Sequence, residues 1–325
     1  MDNLTKYKAF CDVEDTLPIY STYWWLDAVC GTNNWNVLII ERDNKIIASW
    51  PIYIKKKLGF RMITSPLLTP ILGIWLKDLP NISLTNKISH EIEICNELID
   101  MLPKHDFFFQ RFGYQFTNWL PFYWHHYKQQ THYSYVINNI KDYEHVLKGY
   151  PQEKRRKIRR AAELLSIKYD LSAHQFYEFH TKILQQIGKT ISYPFAIFER
   201  LYNALYKHNA GRVIYAVDKD GNIHAALFIA WDKMSAYGIL SAIDRNFGSV
   251  GGASLLAFEA IKMASSFVDT FDFEGSMIPK VEEVNRRSGG IQTPFFEISK
   301  TPSKILSLGL FLFKNLYLKR KGFFQ

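Results

Sequence analysis

The chain has 325 residues, 47% hydrophobic and 22% charged, with a net charge of +9. This composition excludes a disordered segment, and the length suits two ordinary domains better than one core. Three cysteines, Cys11, Cys30 and Cys95, are odd in number and far apart, so they define neither a disulfide framework nor a metal pattern.

Residues 1–8 are polar and lack a signal-peptide core, and no apolar run reaches the length of a membrane span. A cytoplasmic protein is the expectation. The positive charge fits an anionic partner such as nucleic acid, a nucleotide-linked substrate or a membrane surface, and equally fits mere solubility.

Along the first half, Ser21 is placed to cap a helix through Trp24, Leu26 and Val29 that stops at Gly31. Strands are expected at 35–41 and 45–54, joined by Asp43-Asn44. Pro66 and Pro70 break 60–75 into short extended pieces. A helix over 87–102 places Ile88, Ile92, Cys95, Leu98, Ile99 and Leu102 on one face. Strands at 106–111 and 133–138 complete this half.

The second half repeats that order. Pro151 opens a helix to Leu165, where its missing N–H costs nothing. Helices follow around Phe176–Gly188 and Phe195–Leu205, then strands at 212–217, 223–230 and 234–242, the first two joined by Asp220-Gly221. A helix over 251–267, a strand at 270–273, a helix over 279–287 and a strand at 295–298 end the series. The result is an α/β chain with a mixed sheet. We place the boundary after Asn138, giving an N-terminal domain over 1–138, structural or acceptor-binding, and a C-terminal, donor-binding and catalytic domain over 139–325.

Two segments carry chemistry. In the first, Ser241, Ala242 and Ile243 end a strand. Arg245, Asn246 and Gly248 then lead through Gly251, Gly252 and Ala253 into a helix. Glycines let backbone approach a ligand closely, and a helix N-terminus offers free N–H groups to an anion. An ordinary strand-to-helix turn has the same pattern. In the second, Asp272, Glu274 and Ser276 end the next strand, where ligands sit in open α/β sheets. Strand alternation puts both acids on one face, opposite Phe271 and Phe273. They suit a general base, and Ser276 a hydrogen-bond donor. The alternative is a solvated strand end with Glu274 paired to Arg286 or Arg287.

Helical spacing stacks Arg155 with Arg159 and Arg156 with Arg160, an arrangement that favours an anionic partner over a bare solvated face. The aromatic run 118–127 fits core packing better than a sugar or acyl pocket. His125 and His126 are adjacent and point apart, so no metal site is expected. The tail from Lys304, rich in Leu and Phe and closed by Lys319-Arg320-Lys321, fits either packing on its own domain or lying on an anionic membrane.

Five stretches, 19–28, 118–124, 156–161, 271–279 and 285–290, together resemble the Fem-type, methicillin-resistance-like branch of the GNAT superfamily. Asp-Phe-Glu-Gly-Ser followed by Arg-Arg-Ser-Gly-Gly is the most specific pair. The resemblance implies two tandem GNAT-like domains and transfer of an acyl or aminoacyl group to an amine. The acceptor it implies is an amino sugar or cell-envelope precursor in a bacterium. It also implies acyl-CoA as donor, with its pyrophosphate on the loop 245–253, or aminoacyl-tRNA, which the basic helix suits. Of the usual loop spacing, Arg245 and Gly248 fit and Val250 departs. Backbone N–H groups near Ser241–Ile243 are expected to hold the oxyanion. A second class remains open: a non-catalytic GNAT-fold protein binding an anionic or nucleotide-linked ligand.

Overall fold

The computed structural model describes residues 2–313. The basic cluster expected at Lys319–Lys321 lies outside them. In chain order the elements are α1 (Asn3–Cys11), α2 (Tyr23–Cys30), β1 (Asn36–Arg42), β2 (Lys45–Lys57), β3 (Phe60–Thr64), β4 (Trp75–Leu76), α3 (Leu84–Asp100), β5 (Phe107–Phe112), α4 (Leu120–Trp124) and β6 (Lys128–Asn138). Then follow α5 (Tyr143–Gly149), α6 (Gln152–Leu164), β7 (Ser166–Lys168), α7 (Ala173–Gln186), α8 (Phe195–Lys207), β8 (Gly211–Val217), β9 (Ile223–Trp231) and β10 (Ser235–Ile243). The series ends with α9 (Gly252–Ala264), β11 (Thr270–Asp272), α10 (Pro279–Arg286), β12 (Ile291–Lys300) and α11 (Lys304–Leu312). No helix among the described residues is long and apolar enough to cross a membrane.

Two compact units emerge. The first combines residues 2–10, 32–131 and 295–313, the second 11–31 and 132–294. In the first, β1, β2 and β3 form an antiparallel meander, β5 joins β3 in parallel after the α3 crossover, and β12 pairs antiparallel with β5. Asp43 and Asn44 both take positive φ, 51° and 59°, as a two-residue hairpin turn requires. The core gathers Trp50, Phe108, Phe112, Phe122 and Tyr127. Trp50 Nε1 donates to the buried Gln110 Oε1 at 2.7 Å, so its one polar group is satisfied. The run 118–127 thus splits: Phe122 enters the core, while Tyr123 and Trp124 stay exposed.

The second unit has the same plan. β8, β9 and β10 form the antiparallel meander, α9 crosses over, β11 lies parallel to β10, and β6 pairs antiparallel with β11. β7 adds an edge strand on β8. The core lies between α6, α9 and this sheet, around Ile158, Ala161, Ile229, Leu256, Ile261 and Phe271.

Each unit therefore takes its last strand from the other half of the sequence. A single cut after Asn138 follows the chain, whereas compactness follows strand pairing, and the two divide the molecule differently.

Two local expectations are corrected. Ser21 is not the cap of α2: it is buried in a 3₁₀ turn, and the helix begins after Thr22, whose Oγ1 donates to Ile19 O at 2.8 Å. In α3 the inward face is Ile94, Cys95, Leu98 and Ile99, and Ile88 is exposed. The helix starts earlier than expected, capped by Ser83 Oγ accepting from Asn86 N at 3.3 Å, and only its later turns meet the core.

Candidate functional site

Within the second unit the sheet divides. Parallel pairing of β10 with β11 covers only Ser235–Tyr237 against Thr270–Asp272. A register shift follows at Gly238–Leu240, after which β10 continues to Ile243 paired with β9. β11 stops at Asp272, so Gly238–Ile243 face an opening beyond the carboxyl end of a parallel strand. The two segments singled out in the sequence flank this opening.

Asp272 is fully buried. Its Oδ1 accepts from Ser134 Oγ on β6 and, at 2.8 Å, from Glu274 N, while Oδ2 is buried without a partner. Burial pushes its carboxyl up to about 6. The two acids do come together, but not by strand alternation as expected. The strand has ended, and Glu274 sits at φ 63°, a left-handed conformation uncommon for a residue with a side chain. Its Oε1 accepts from Tyr20 O–H, and Oε2 is buried and unpartnered. Burial first, then the Asp272 charge, holds Glu274 well above the usual carboxylate range; the same burial, with the Glu274 charge, raises Tyr20.

Gly275 makes this turn feasible. At φ 58°, a Cβ there would lie 2.1 Å from Tyr133 O and 2.6 Å from Ser134 Cα. Ser276 faces a turn instead of the acids, its Oγ accepting from Ile278 N at 3.1 Å. The ion pair weighed for Glu274 is not formed, since Arg286 pairs with Glu282 at 2.9 Å and Arg287 with Glu153 and Glu283.

Tyr20 was not legible as a site residue, because its partner lies 254 positions away. It is held by Asp232, equally unremarked in the sequence. Asp232 Oδ2 accepts from Ile19 N at 3.1 Å and Tyr237 O–H at 2.8 Å; its Oδ1 accepts from Met234 N and Ser235 N. One buried carboxylate thus ties the 11–31 segment to the β9–β10 hairpin and sets the Tyr20 ring 5.2 Å from that of Tyr237.

The loop after β10 is ordered by its own contacts. Asp244 Oδ1 accepts from Asn246 N at 3.0 Å, capping a short 3₁₀ turn over Arg245–Phe247. Phe247 stacks on the buried His224 at 4.2 Å, and His224 Nε2 meets Asp218 Oδ2 at 3.1 Å. Ser241, Ile243, Arg245, Asn246 and Gly248 are exposed, Ala242 is buried and Ala253 half-buried. Gly251 and Gly252 are buried and have a packing reason of their own. A Cβ on Gly251 would come within 2.6 Å of Lys157 Cγ, and one on Gly252 within 2.9 Å of His224 Cβ. These two glycines bring α9 against α6 and β9, leaving Arg245, Asn246, Gly248 and Ser249 exposed on the loop.

On α6, Ile158 and Ala161 face the core. Arg156, Arg159 and Arg160 are exposed and, among the described residues, meet no carboxylate; Arg155 is half-buried and donates to Lys148 O at 2.6 Å. No group of three or more His, Cys, Asp or Glu side chains suited to a metal occurs among the described residues.

Residues 150–276 match the family profile described as acetyltransferase (GNAT) domain. No curated protein sequence matches the chain. Among solved structures, FemX is similar at TM-score 0.67 and 11% identity, over 91% of this chain and 96% of that one. L-PGS from Bacillus licheniformis is similar at TM-score 0.51 and 10% identity, over 97% and 96% of the two chains. A conserved protein of unknown function from Bacteroides thetaiotaomicron reaches TM-score 0.51 at 10% identity, over 92% and 95%. The profile spans the whole meander, α9 and the acid pair, and the likeness to FemX shows that the chain shares its mixed α/β fold.

Proposed function

We propose that the protein is an N-acyltransferase in which an acceptor amine attacks the carbonyl of an acyl-CoA thioester or an aminoacyl-tRNA ester. The observation that carries this reading is the buried acid pair at the sheet opening. Glu274 is held in a strained backbone conformation, with one oxygen anchored by Tyr20 and the other unpartnered. Strain and unpaired buried polar atoms concentrate at functional sites.

Glu274 accepts the proton that the attacking nitrogen loses, directly or through a water. The carbonyl's C–S bond to CoA or C–O bond to the tRNA ribose breaks, the departing thiolate or ribose oxygen taking up a proton from Glu274 or solvent. The raised affinity of Glu274 for protons makes it a stronger proton acceptor once ionised. Asp272 keeps that affinity high and fixes the turn through Glu274 N–H. Backbone N–H groups of Ser241–Ile243 along the opening receive the developing oxyanion. Arg245, Asn246 and Gly248 border the donor. Arg155, Arg156, Arg159 and Arg160 attract its anionic portion. The acceptor we assign is an amino sugar or envelope precursor, on the Fem-like fold and the sequence motifs together. α11 exposes Ile305, Leu308 and Phe311, which supports a peripheral contact at the inner face of the membrane.

The test is transfer measured with each donor, read by mass of the acceptor. Glu274→Gln keeps the shape and loses the base, so turnover should fall by about 10²–10⁴-fold while the melting temperature changes little. Unchanged turnover would remove Glu274 from the chemistry, and a large loss of stability alone would make the acid pair structural. Absence of transfer from either donor would favour the non-catalytic binding protein.

A further inference from the structure

α6 also carries Lys154, whose surroundings differ from those of the exposed Arg156, Arg159 and Arg160. Lys154 is half-buried in the first turn. Its ammonium donates to Ser288 Oγ and lies 4.8 Å from the Tyr150 ring centroid. Among the described residues it meets no carboxylate. The acids nearby are engaged elsewhere, Glu153 and Glu283 with Arg287, and Glu282 with Arg286 and Tyr135. Two donors in the same neighbourhood have no acceptor. Tyr150 is 3% exposed and its O–H is unpartnered; Asn285, at 7%, has an unpartnered Nδ2.

The Arg286–Gly290 turn holds these groups in place. Ser288 N donates to Asn285 O at 3.0 Å. Gly289, at φ 79°, leaves room beside the Tyr150 ring, and a Cβ on Gly290 would come within 2.7 Å of Tyr135 Cβ.

We propose that Lys154, Tyr150 and Asn285 form a binding site for a phosphoryl group. Orphan buried donors are costly, and a half-buried cation without a counter-charge adds to that cost. An oxyanion with three terminal oxygens offers an acceptor to each donor and a charge to the lysine, whereas a carboxylate has two oxygens. Burial, aided by the Arg287 charge, pushes the ammonium down to about 8, and a bound anion reverses that penalty. The site rests on the transferase reading only for which phosphorylated ligand enters it, a nucleotide-linked substrate or free phosphate.

The full-length protein would be titrated calorimetrically with inorganic phosphate, a nucleoside diphosphate and, at matched ionic strength, acetate. Phosphate or the diphosphate should bind in preference to acetate, tighter diphosphate binding indicating a nucleotide-linked ligand and equal binding free phosphate. Lys154→Gln should weaken phosphate binding by about 10-fold or more, and Tyr150→Phe, which keeps the ring, by roughly 3-fold. Lys182→Gln, an equal loss of charge on the exposed face of α7, should leave it unchanged. The inference falls if neither phosphate compound binds, if acetate binds equally, or if both site variants match the wild type. Should Lys154→Gln not fold, as judged by circular dichroism, Tyr150→Phe decides alone. A protein that transfers acyl groups but ignores phosphate loses this inference only; one that binds phosphate through Lys154 and transfers nothing loses only the transferase reading.

Discussion

Asp272 shows how one side chain records its surroundings. Its carboxyl, near 3.8 in solution, is pushed up to about 6 by burial, although Ser134 and the Glu274 N–H both favour the charged form. The folded state thus binds this proton more tightly than the unfolded chain. Its stabilising effect is full below about pH 4 and is lost as pH rises through about 6, a change on the order of 3 kcal/mol. Asp272→Asn keeps the Oδ1 acceptor and does not titrate. Between pH 4 and pH 7.5 the wild-type melting temperature should fall relative to that of Asp272→Asn, followed by circular dichroism. Parallel curves would mean that Asp272 is ionised without penalty. The sequence pointed to Asp272 and Glu274 through their place at a strand end, but not to Tyr20, Ser134 or Asp232. Those side chains matter only because distant stretches of chain meet, and no local pattern records that.

At the scale of elements, the periodic patterns were legible and the junctions less so. The order of meander, crossover helix and parallel strand could be read from apolar spacing and turn residues, because these are local properties. β7, α1, α4 and α5 escaped, being short or weakly patterned.

Glycines separate the two kinds of junction. Gly221, at φ 83° in the β8–β9 turn, has open space where a Cβ would stand; Gly275 has backbone atoms of β6 there. Gly221→Ala should therefore cost about 1 kcal/mol from conformation alone. Gly275→Ala adds a clash that moves β6, and should cost about 3 kcal/mol or more. Denaturant midpoints of the two variants would check this, and equal losses would mean the Gly275 turn relaxes freely. From sequence both read as permissive glycines, since the nearness of another strand is invisible there.

Over the whole molecule, both units share one topology, with β3 and β5 in the first corresponding to β10 and β11 in the second. The first unit has Phe107, Phe108 and Phe109 where the second has Thr270, Phe271 and Asp272, so at these positions the second unit carries an acid and the first does not. α11 gives the prediction at this scale. The full chain should float with anionic vesicles, and a chain ending at Ser303 should not, each measured by gradient flotation. Equal behaviour would assign the exposed Ile305, Leu308 and Phe311 to another role.

The sequence by itself determined the α/β class, the second meander, the crossover helices and the strand-end acids. Each follows from the period of apolar residues, turn chemistry and the residue types that can move a proton, all confined to short windows of chain. Tertiary structure alone decided that β6 completes the second unit and β12 the first, that residues 11–31 deliver Tyr20 to Glu274, and that Lys154 meets Ser288 and the Tyr150 ring while Arg156, Arg159 and Arg160 remain outside. These depend on which surfaces exclude water together and which buried donors find acceptors, a global balance set by burial and hydrogen bonding between residues far apart in sequence.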